Sequence, residues 1–257
     1  MRPSLRRERI EQLVREQQRV TVDGLAELLG ASKETIRRDL TDLAERGRVR
    51  KFHGGATIAE PRQSEPDIEG SFQARLQENA RAKRAIAKRA IQLFKPGDTL
   101  FVDTGTTTLF FAEEMARATG LTVITNSGVI AALAALGTAN QVFLIGGEYR
   151  ADRNENLGPL AIEQIGRFHS AHAVLTVGSV ETVGILDYDL GEANIARAMI
   201  AQSRSVTVLA DSSKFGRGGL IKVAGLNAIE RIVTEKEPPE DIADAMKAAS
   251  VPVIVAA

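Results

Sequence analysis

The sequence predicts two fold classes in one chain. A small three-helix head ending in a β-wing occupies residues 1–58, and an α/β body on a parallel sheet occupies residues 75–257. Three observations carry this. Residues 32–43 sort by helical face, with Ile36, Leu40 and Leu43 at the i, i+4, i+7 spacing of a buried side and Glu34, Arg38, Thr41 and Glu45 opposite. From Arg75 onward, short apolar runs without alternation are separated by helical stretches, as in strands covered on both faces. The 257 residues are 44% hydrophobic but only 4% aromatic, with no Trp, so the cores must be built from Ala, Val, Ile and Leu.

Charge and composition exclude several classes. The chain has 33 basic and 33 acidic residues. Residues 1–58 hold 13 Lys or Arg against 9 Asp or Glu, leaving 20 against 24 for the rest. A mildly basic head on a mildly acidic body admits nucleic acid as the head's partner. There is no cysteine, which removes disulfides, thiolate nucleophiles and Cys-ligated zinc. No apolar run approaches the roughly 18 residues of a membrane span, and the first residues lack a signal peptide's apolar stretch. The expectation is a soluble cytoplasmic protein.

In the head, Ile10, Leu13 and Val14 give residues 4–17 a buried face with arginines outside. Thr21 is placed to cap a short second helix over 22–29, where Leu25, Leu28 and Leu29 repeat the spacing. Gly30-Ala31 makes a turn, Ser32 caps the third helix, and Gly47 is suited to end it. Lys33, Arg37 and Arg38 crowd the first two turns of that helix, while Asp39, Asp42 and Glu45 follow. Only its N-terminal end therefore suits a polyanion, the polarity of a recognition helix. The paired glycines of His53-Gly54-Gly55-Ala56 permit a hairpin, so residues 48–58 read as a wing. The expected DNA contacts are Ser32, Lys33, Thr35, Arg37 and Arg38, with His53 in the wing. A charged three-helix bundle with solvated arginines is the plainer alternative; the short second helix, the turn, the placement of charge and the wing together favour DNA.

Residues 59–74, with two prolines and no period, read as a linker. The body then alternates: helix through Ala82–Leu93 positions, strand 99–103, helix 109–119, strand 121–125, helix 129–136, strand 141–145, helix 160–168 and strand 173–177. Helix 192–203, strand 205–210, strand 228–234, helix 240–249 and strand 252–255 complete it. Parallel sheets of this kind bind ligands beyond the carboxyl ends of their strands.

Four such ends carry polar residues. Asp103-Thr104-Gly105-Thr106-Thr107-Thr108 runs from a strand into a helix, and glycine, hydroxyls and free N–H groups together suit a phosphate. A well-capped turn with no ligand would look the same, because neither Walker nor dinucleotide-binding spacing is present. Asn126 lies in a second polar turn, and Gly147 and Glu148 follow a third strand. Asp187, Glu192 and the run Asp211-Ser212-Ser213-Lys214 form the last group. Those acids can act on a sugar or merely bond its hydroxyls, and Lys214 can pair with a phosphate or stand in solvent. His169 and His172 lack a third ligand at metal spacing, so no metal and no cofactor are expected.

Residues 20–56, with Leu25-Ala26-Glu27-Leu28-Leu29, Thr35-Ile36-Arg37-Arg38-Asp39-Leu40 and His53-Gly54-Gly55-Ala56, resemble the head of the DeoR-type bacterial repressors of sugar catabolism. The resemblance continues through Asp103-Thr104-Gly105-Thr106-Thr107, Thr125-Asn126-Ser127, Gly146-Gly147 and Ala210-Asp211-Ser212-Ser213-Lys214-Phe215-Gly216. It implies a winged helix-turn-helix joined to a sensor similar to ribose-5-phosphate isomerase and the CoA transferases. It also implies a phosphorylated sugar or polyol as effector, with Asp103, Gly105, Thr106, Thr107, Asn126, Gly147, Glu148, Asp187 and Lys214 around it. The Asp187-Tyr188 region and Arg197-Ala198-Met199-Ile200 resemble the glycerol-3-phosphate repressor subgroup. The resulting expectation is a repressor without catalytic residues, binding operator DNA as a dimer or higher homo-oligomer. A sugar-phosphate isomerase with an accessory head, and a non-specific architectural DNA protein, are the competing functions.

Overall fold

The computed structural model describes residues 3–17, 19–45, 49–52, 54–58 and 70–256. The chain divides into two compact units, Met1–Ser64 and Glu65–Ala257.

In the first unit, α1 (Pro3–Gln17), β1 (Arg19–Thr21), α2 (Val22–Leu29), α3 (Lys33–Glu45), β2 (Val49–Phe52) and β3 (Gly55–Ile58) enclose one core. Ile10, Leu13, Val14, Leu25, Ile36 and Leu40 meet there, as the helical spacing requires. Thr21 Oγ1 accepts from Gly24 N at 3.1 Å and starts α2. Gly30, at φ +58°, ends it: its N–H reaches Glu27 O and that of Ala31 reaches Ala26 O, the paired bonds of a Schellman turn. β1 was not legible in the sequence; it pairs with β3 through Val20 and Ala56, so the wing is a three-stranded antiparallel sheet in the order β1-β3-β2. Leu28 is a correction, because it is 64% exposed. Val22, Leu25 and Leu29 fall within about 60° round the helix, and Leu28 lies about 60° outside that arc. Gly47, as the end of the third helix, lies outside the described residues.

The second unit opens with α4 (Phe72–Gln77), α5 (Ala80–Ile91), β4 (Thr99–Val102), α6 (Thr106–Met115), β5 (Thr122–Thr125), α7 (Gly128–Ala134) and β6 (Gln141–Leu144). Then come β7 (Glu148–Arg150), β8 (Glu155–Leu157), α8 (Pro159–Ile165), β9 (Ser170–Leu175), β10 (Ser179–Glu181), β11 (Gly184–Asp187) and α9 (Leu190–Ala201). β12 (Ser203–Leu209), β13 (Ile221–Ala224), β14 (Arg231–Thr234), α10 (Glu240–Ala248) and β15 (Val253–Val255) follow. Seven strands form a parallel sheet in the order β15-β14-β12-β9-β4-β5-β6. Leu100 and Val102 of β4 pack with α5, α6 and α7, while Phe101 packs with α8, α9 and α10, so both faces are covered.

Five short strands were not expected. β7 and β8 make an antiparallel hairpin, and β10, β11 and β13 make a small antiparallel sheet. The expected linker also ends early. Residues 59–69 of it lie outside the described ones, but residues 72–74 are the first turn of α4, where Ser71 Oγ accepts from Ala74 N at 3.2 Å.

Candidate effector cleft and nucleic-acid interface

Strand order reverses at β4, which has β5 on one side and β9 on the other, with chain order running outward in both directions. The carboxyl ends of β4 and β9 must therefore diverge into their own connections, and a crevice opens between them. Asp103 bridges that crevice. Both of its oxygens accept from Thr176 N, at 3.0 and 2.9 Å, so the carboxylate clamps the end of β4 to the end of β9. Gly105 is required next to it, because a Cβ there would lie 2.1 Å from Thr176 Oγ1.

Beyond the clamp lies a polar cleft at the carboxyl ends of the strands. Asp103, Gly105, Thr106, Asn126 and Asp187, all expected at the site, line it. α6 starts at Thr106, three residues earlier than expected, because Gly105 serves as its N-cap with no side-chain hydrogen bond. Its first N–H groups and positive dipole end are thus left for a ligand. Thr107 is buried beside this turn but does not line the cleft.

Three expected residues stand apart. Gly147, at φ +157°, would place a Cβ 2.5 Å from Leu157 O, so it serves the close passage of the chain against β8. Glu148 lies exposed on β7, outside the cleft lining. Lys214 also lies outside the lining; its carbonyl accepts from Ser179 Oγ at 3.2 Å, and its ammonium helps depress the pKa of Lys83 after burial, the larger cause.

The cleft also holds residues the sequence reading missed. Arg75 reaches it from α4, and Glu155 and Thr176 complete its walls. Glu192, named only as a nearby acid, lines it too and pairs with Arg153. Thr176 directly follows the carboxyl end of β9, so the strand-end rule would have found it had β9 been placed correctly. Glu155 and Arg75 had no local signal.

Four carboxyls therefore share one cleft. Burial pushes Asp103 well above the usual carboxylate range, against the Thr176 N–H that lowers it, with Asp187 and Glu155 adding to the rise. Burial raises Glu155 to about 7 despite Arg150 and Arg153 nearby. Glu192 rises well above its ordinary value through burial and then the charges of Glu155 and Asp187. Asp189, outside the lining, shifts the other way: burial would raise it, but Arg150 at 2.5 Å holds it below the usual value. A carboxyl that keeps its proton near neutral pH both donates and accepts, which suits a hydroxylated ligand and reduces repulsion toward an anion.

Three acceptors in the lining are buried without a hydrogen-bond partner among the described residues: Asn126 Oδ1, Glu155 Oε1 and Thr104 Oγ1. Buried acceptors are costly to leave unpaired, so hydroxyl donors from a ligand would relieve all three.

At the other site, α3 presents Lys33, Arg37 and Arg38 to solvent, each more than half exposed. Lys33 pairs with Asp23 at 3.0 Å, whereas Arg37 and Arg38 lie 3.8 and 3.7 Å from Glu34. Such exposed pairs are weak and can be exchanged for phosphates. The Ser32 hydroxyl is the helix cap: it accepts from Thr35 N at 3.1 Å and meets Thr35 Oγ1 at 2.8 Å. The helix is anchored from behind by Asp39, which is buried and paired with Arg6 at 2.5 Å and Arg7 at 3.1 Å. His53 lies outside the described residues.

A helix-turn-helix head with an exposed basic helix start, carried on an α/β domain with a polar cleft at its strand ends, defines a DNA-binding transcription regulator. The chain belongs to the DeoR family: residues 6–62 match the DeoR-like helix-turn-helix domain and residues 78–236 the DeoR C terminal sensor domain. It is 31% identical over 253 residues to the putative aga operon transcriptional repressor of Escherichia coli O157:H7, covering 98% of this chain and 93% of that one. It is 32% identical over 248 residues to the glycerol-3-phosphate regulon repressor of Haemophilus influenzae, covering 96% and 94%. Ribose 5-phosphate isomerase A of Methanocaldococcus jannaschii is similar to 54% of this chain over 56% of its own, at 18% identity and a TM-score of 0.40, a likeness from which no function follows. Among the described residues no helix is long and apolar enough to cross a membrane, and no group of His, Cys, Asp and Glu could hold a metal ion.

Proposed function

We propose that the chain is a cytoplasmic repressor of a sugar or polyol catabolic operon, and that a phosphorylated sugar or polyol in the cleft sets its affinity for operator DNA. The observation that carries this reading is the pairing of an uncapped α6 start with three buried, unpartnered acceptors in one cleft. The N–H groups take the phosphate and the acceptors take hydroxyls. Relatives named for aga and glycerol-3-phosphate operons support the same ligand class. Residues 1–58 would read the operator through Lys33, Thr35, Arg37, Arg38 and His53, with Ser32 holding the helix start. Residues 75–257 would sense the effector through Asp103, Gly105, Thr106 and Asn126. Asp187 is expected at the ligand's hydroxyls and Thr107 behind the phosphate turn.

A lone winged helix reads only a short half-site, so the working form is a dimer or higher homo-oligomer. β6, an edge strand with Phe143 and Leu144 exposed, offers a surface that a second copy can cover. Sedimentation as a monomer at operator-binding concentrations would contradict this.

The deciding experiment is thermal-shift screening of phosphorylated sugars and polyols, followed by gel shift with each hit. An effector present at 100 times its dissociation constant should stabilise the protein by about 2.7 kcal/mol. Hits that leave operator affinity unchanged, or a screen with none, would overturn the reading. Turnover of a screened sugar phosphate by the purified protein would replace it with the isomerase alternative.

A further inference from the structure

α3 carries a buried carboxylate that lies away from its solvent face. Asp39 is 4% exposed and sits about 60° round the helix from Ile36 and about 40° from Thr35, at the seam between the apolar side and the proposed reading side. Its two oxygens are held separately: Oδ2 accepts from Arg6 Nε at 2.5 Å and Oδ1 from Arg7 Nε at 3.1 Å. Arg7 also reaches one turn further along α3, where its Nη1 lies 2.6 Å from Asp42 Oδ2. Consecutive side chains of α1 therefore grip α3 at two successive turns, and Arg6 is itself largely buried.

A buried ion pair is a poor source of stability, since apolar residues of similar volume often do as well or better. What it supplies is direction. Ile36, Leu40 and Leu43 make apolar contacts that tolerate small rotations of α3 about its own axis, whereas a guanidinium on each carboxylate oxygen does not. The lever is short. About 5 Å from the axis, a roll of about 10° moves a side chain by about 1 Å, enough to lose a hydrogen bond to a base edge.

Resting on the reading of α3 as the operator-reading helix, we propose that Asp39, held by Arg6 and Arg7, is a positioning residue that fixes the roll of α3 and so sets how sharply the head discriminates operator from other DNA. It touches no nucleotide. It acts through Thr35, one turn before it, and through Arg38 on the outward face. Arg6, committed to Asp39, is likewise not a phosphate ligand.

The test is gel shift of the full-length protein on operator DNA, selected by the wild type from a random-sequence pool, and on a scrambled duplex of equal length. Asp39→Asn, Arg6→Gln and the double variant are compared across a salt series, with an intact head checked by melting. Each single variant should lower operator affinity by about tenfold or more, the worth of one good base contact, and leave scrambled-DNA affinity within about twofold. The double variant should lose no more than the worse single, because both act through one contact. Arg6→Gln should leave the salt slope on scrambled DNA unchanged, whereas removing a phosphate contact lowers it by about one. Should these variants fail to fold, Arg6→Met with Asp39→Leu replaces the pair by apolar groups, and Arg6→Lys keeps the charge without the planar fork; both should show the same operator-only loss. Operator affinity kept by folded variants, equal losses on both DNAs, additive losses in the double variant, or a salt slope lowered by about one overturns the assignment. If Arg37→Ala with Arg38→Ala also binds operator like the wild type, the reading of α3 fails and this inference falls with it. If that variant weakens binding while the Asp39 series does not, only this inference fails.

Discussion

The first turns of α3 and α6 both follow a short polar turn and both face a phosphate in the proposed function, yet they are built in opposite ways. At α3 the serine cap spends its hydroxyl on Thr35 N, and the ligand-facing charge is carried on long exposed side chains. At α6 the cap is a glycine, so no cap side chain accepts from the first N–H groups, and Thr106, Thr107 and Thr108 are buried. DNA is a broad, wet partner that flexible cations can follow along its backbone. A small phosphate in a closed cleft is better met by fixed N–H groups that need no side-chain ordering. The difference between the two starts therefore follows from the size of the anion each must meet.

The largest test of this contrast is Gly105→Ala. The added Cβ would meet Thr176 Oγ1 at 2.1 Å, so the clamp between β4 and β9 must shift. Effector-induced thermal stabilisation should vanish, and overpacking should cost the sensor about 1–3 kcal/mol, while operator binding without effector persists. If effector response survived intact, the α6 start would not be the phosphate site. Arg38→Ala reverses the pattern: operator affinity should fall by about 1–3 kcal/mol if the guanidinium reads guanine, with effector binding unchanged. An unaltered gel shift would remove Arg38 from the interface.

A titration separates the two regions next. Glu155 rises from 4.5 to about 7 in the folded chain, chiefly by burial. The folded state then holds a proton that the unfolded state releases, so stability is greatest below the lower value and is lost as pH climbs through the upper one. Asp103 and Glu192 shift in the same direction, Asp189 in the other. The sensor's melting temperature should decline between those two pH values, by at most about 1.4 kcal/mol per pH unit for one proton, and Glu155→Gln should flatten the decline. A profile that rose instead would refute the protonated cleft. The smallest effect belongs to Ser32→Ala, which removes the α3 cap: melting of the head should drop by about 1 kcal/mol, with the effector shift untouched.

Much of this was legible in the chain because it is written in local periodicity. Ile36, Leu40 and Leu43 share a face at helical spacing and are buried together, and the apolar runs at 99–102 and 122–125 are adjacent parallel strands. What escaped is held by contacts distant in sequence. Asp39 looked like a late acid on an outward helix, but it turns inward because two arginines of α1 meet it. The strands of β10, β11 and β13 are short and take their order from each other, with Gly184 at φ +134° where a Cβ would strike Ala224 O, so no alternation announces them. At the cleft, the strand-end rule located Asp103, Asn126 and Asp187, whereas Glu155 arrives on a hairpin strand and Arg75 on a helix that had read as the edge of a linker.

That helix has a consequence for how such a regulator can diversify. None of the six residues of α4 is fully buried, yet Arg75 lines the cleft and Phe72 and Leu76 line the apolar space beside it. Substitutions at sites outside the packed interior usually change stability by no more than about 0.5 kcal/mol. New effectors could thus be acquired by mutating a single surface helix, while the seven-stranded sheet and the DNA-reading head are inherited unchanged.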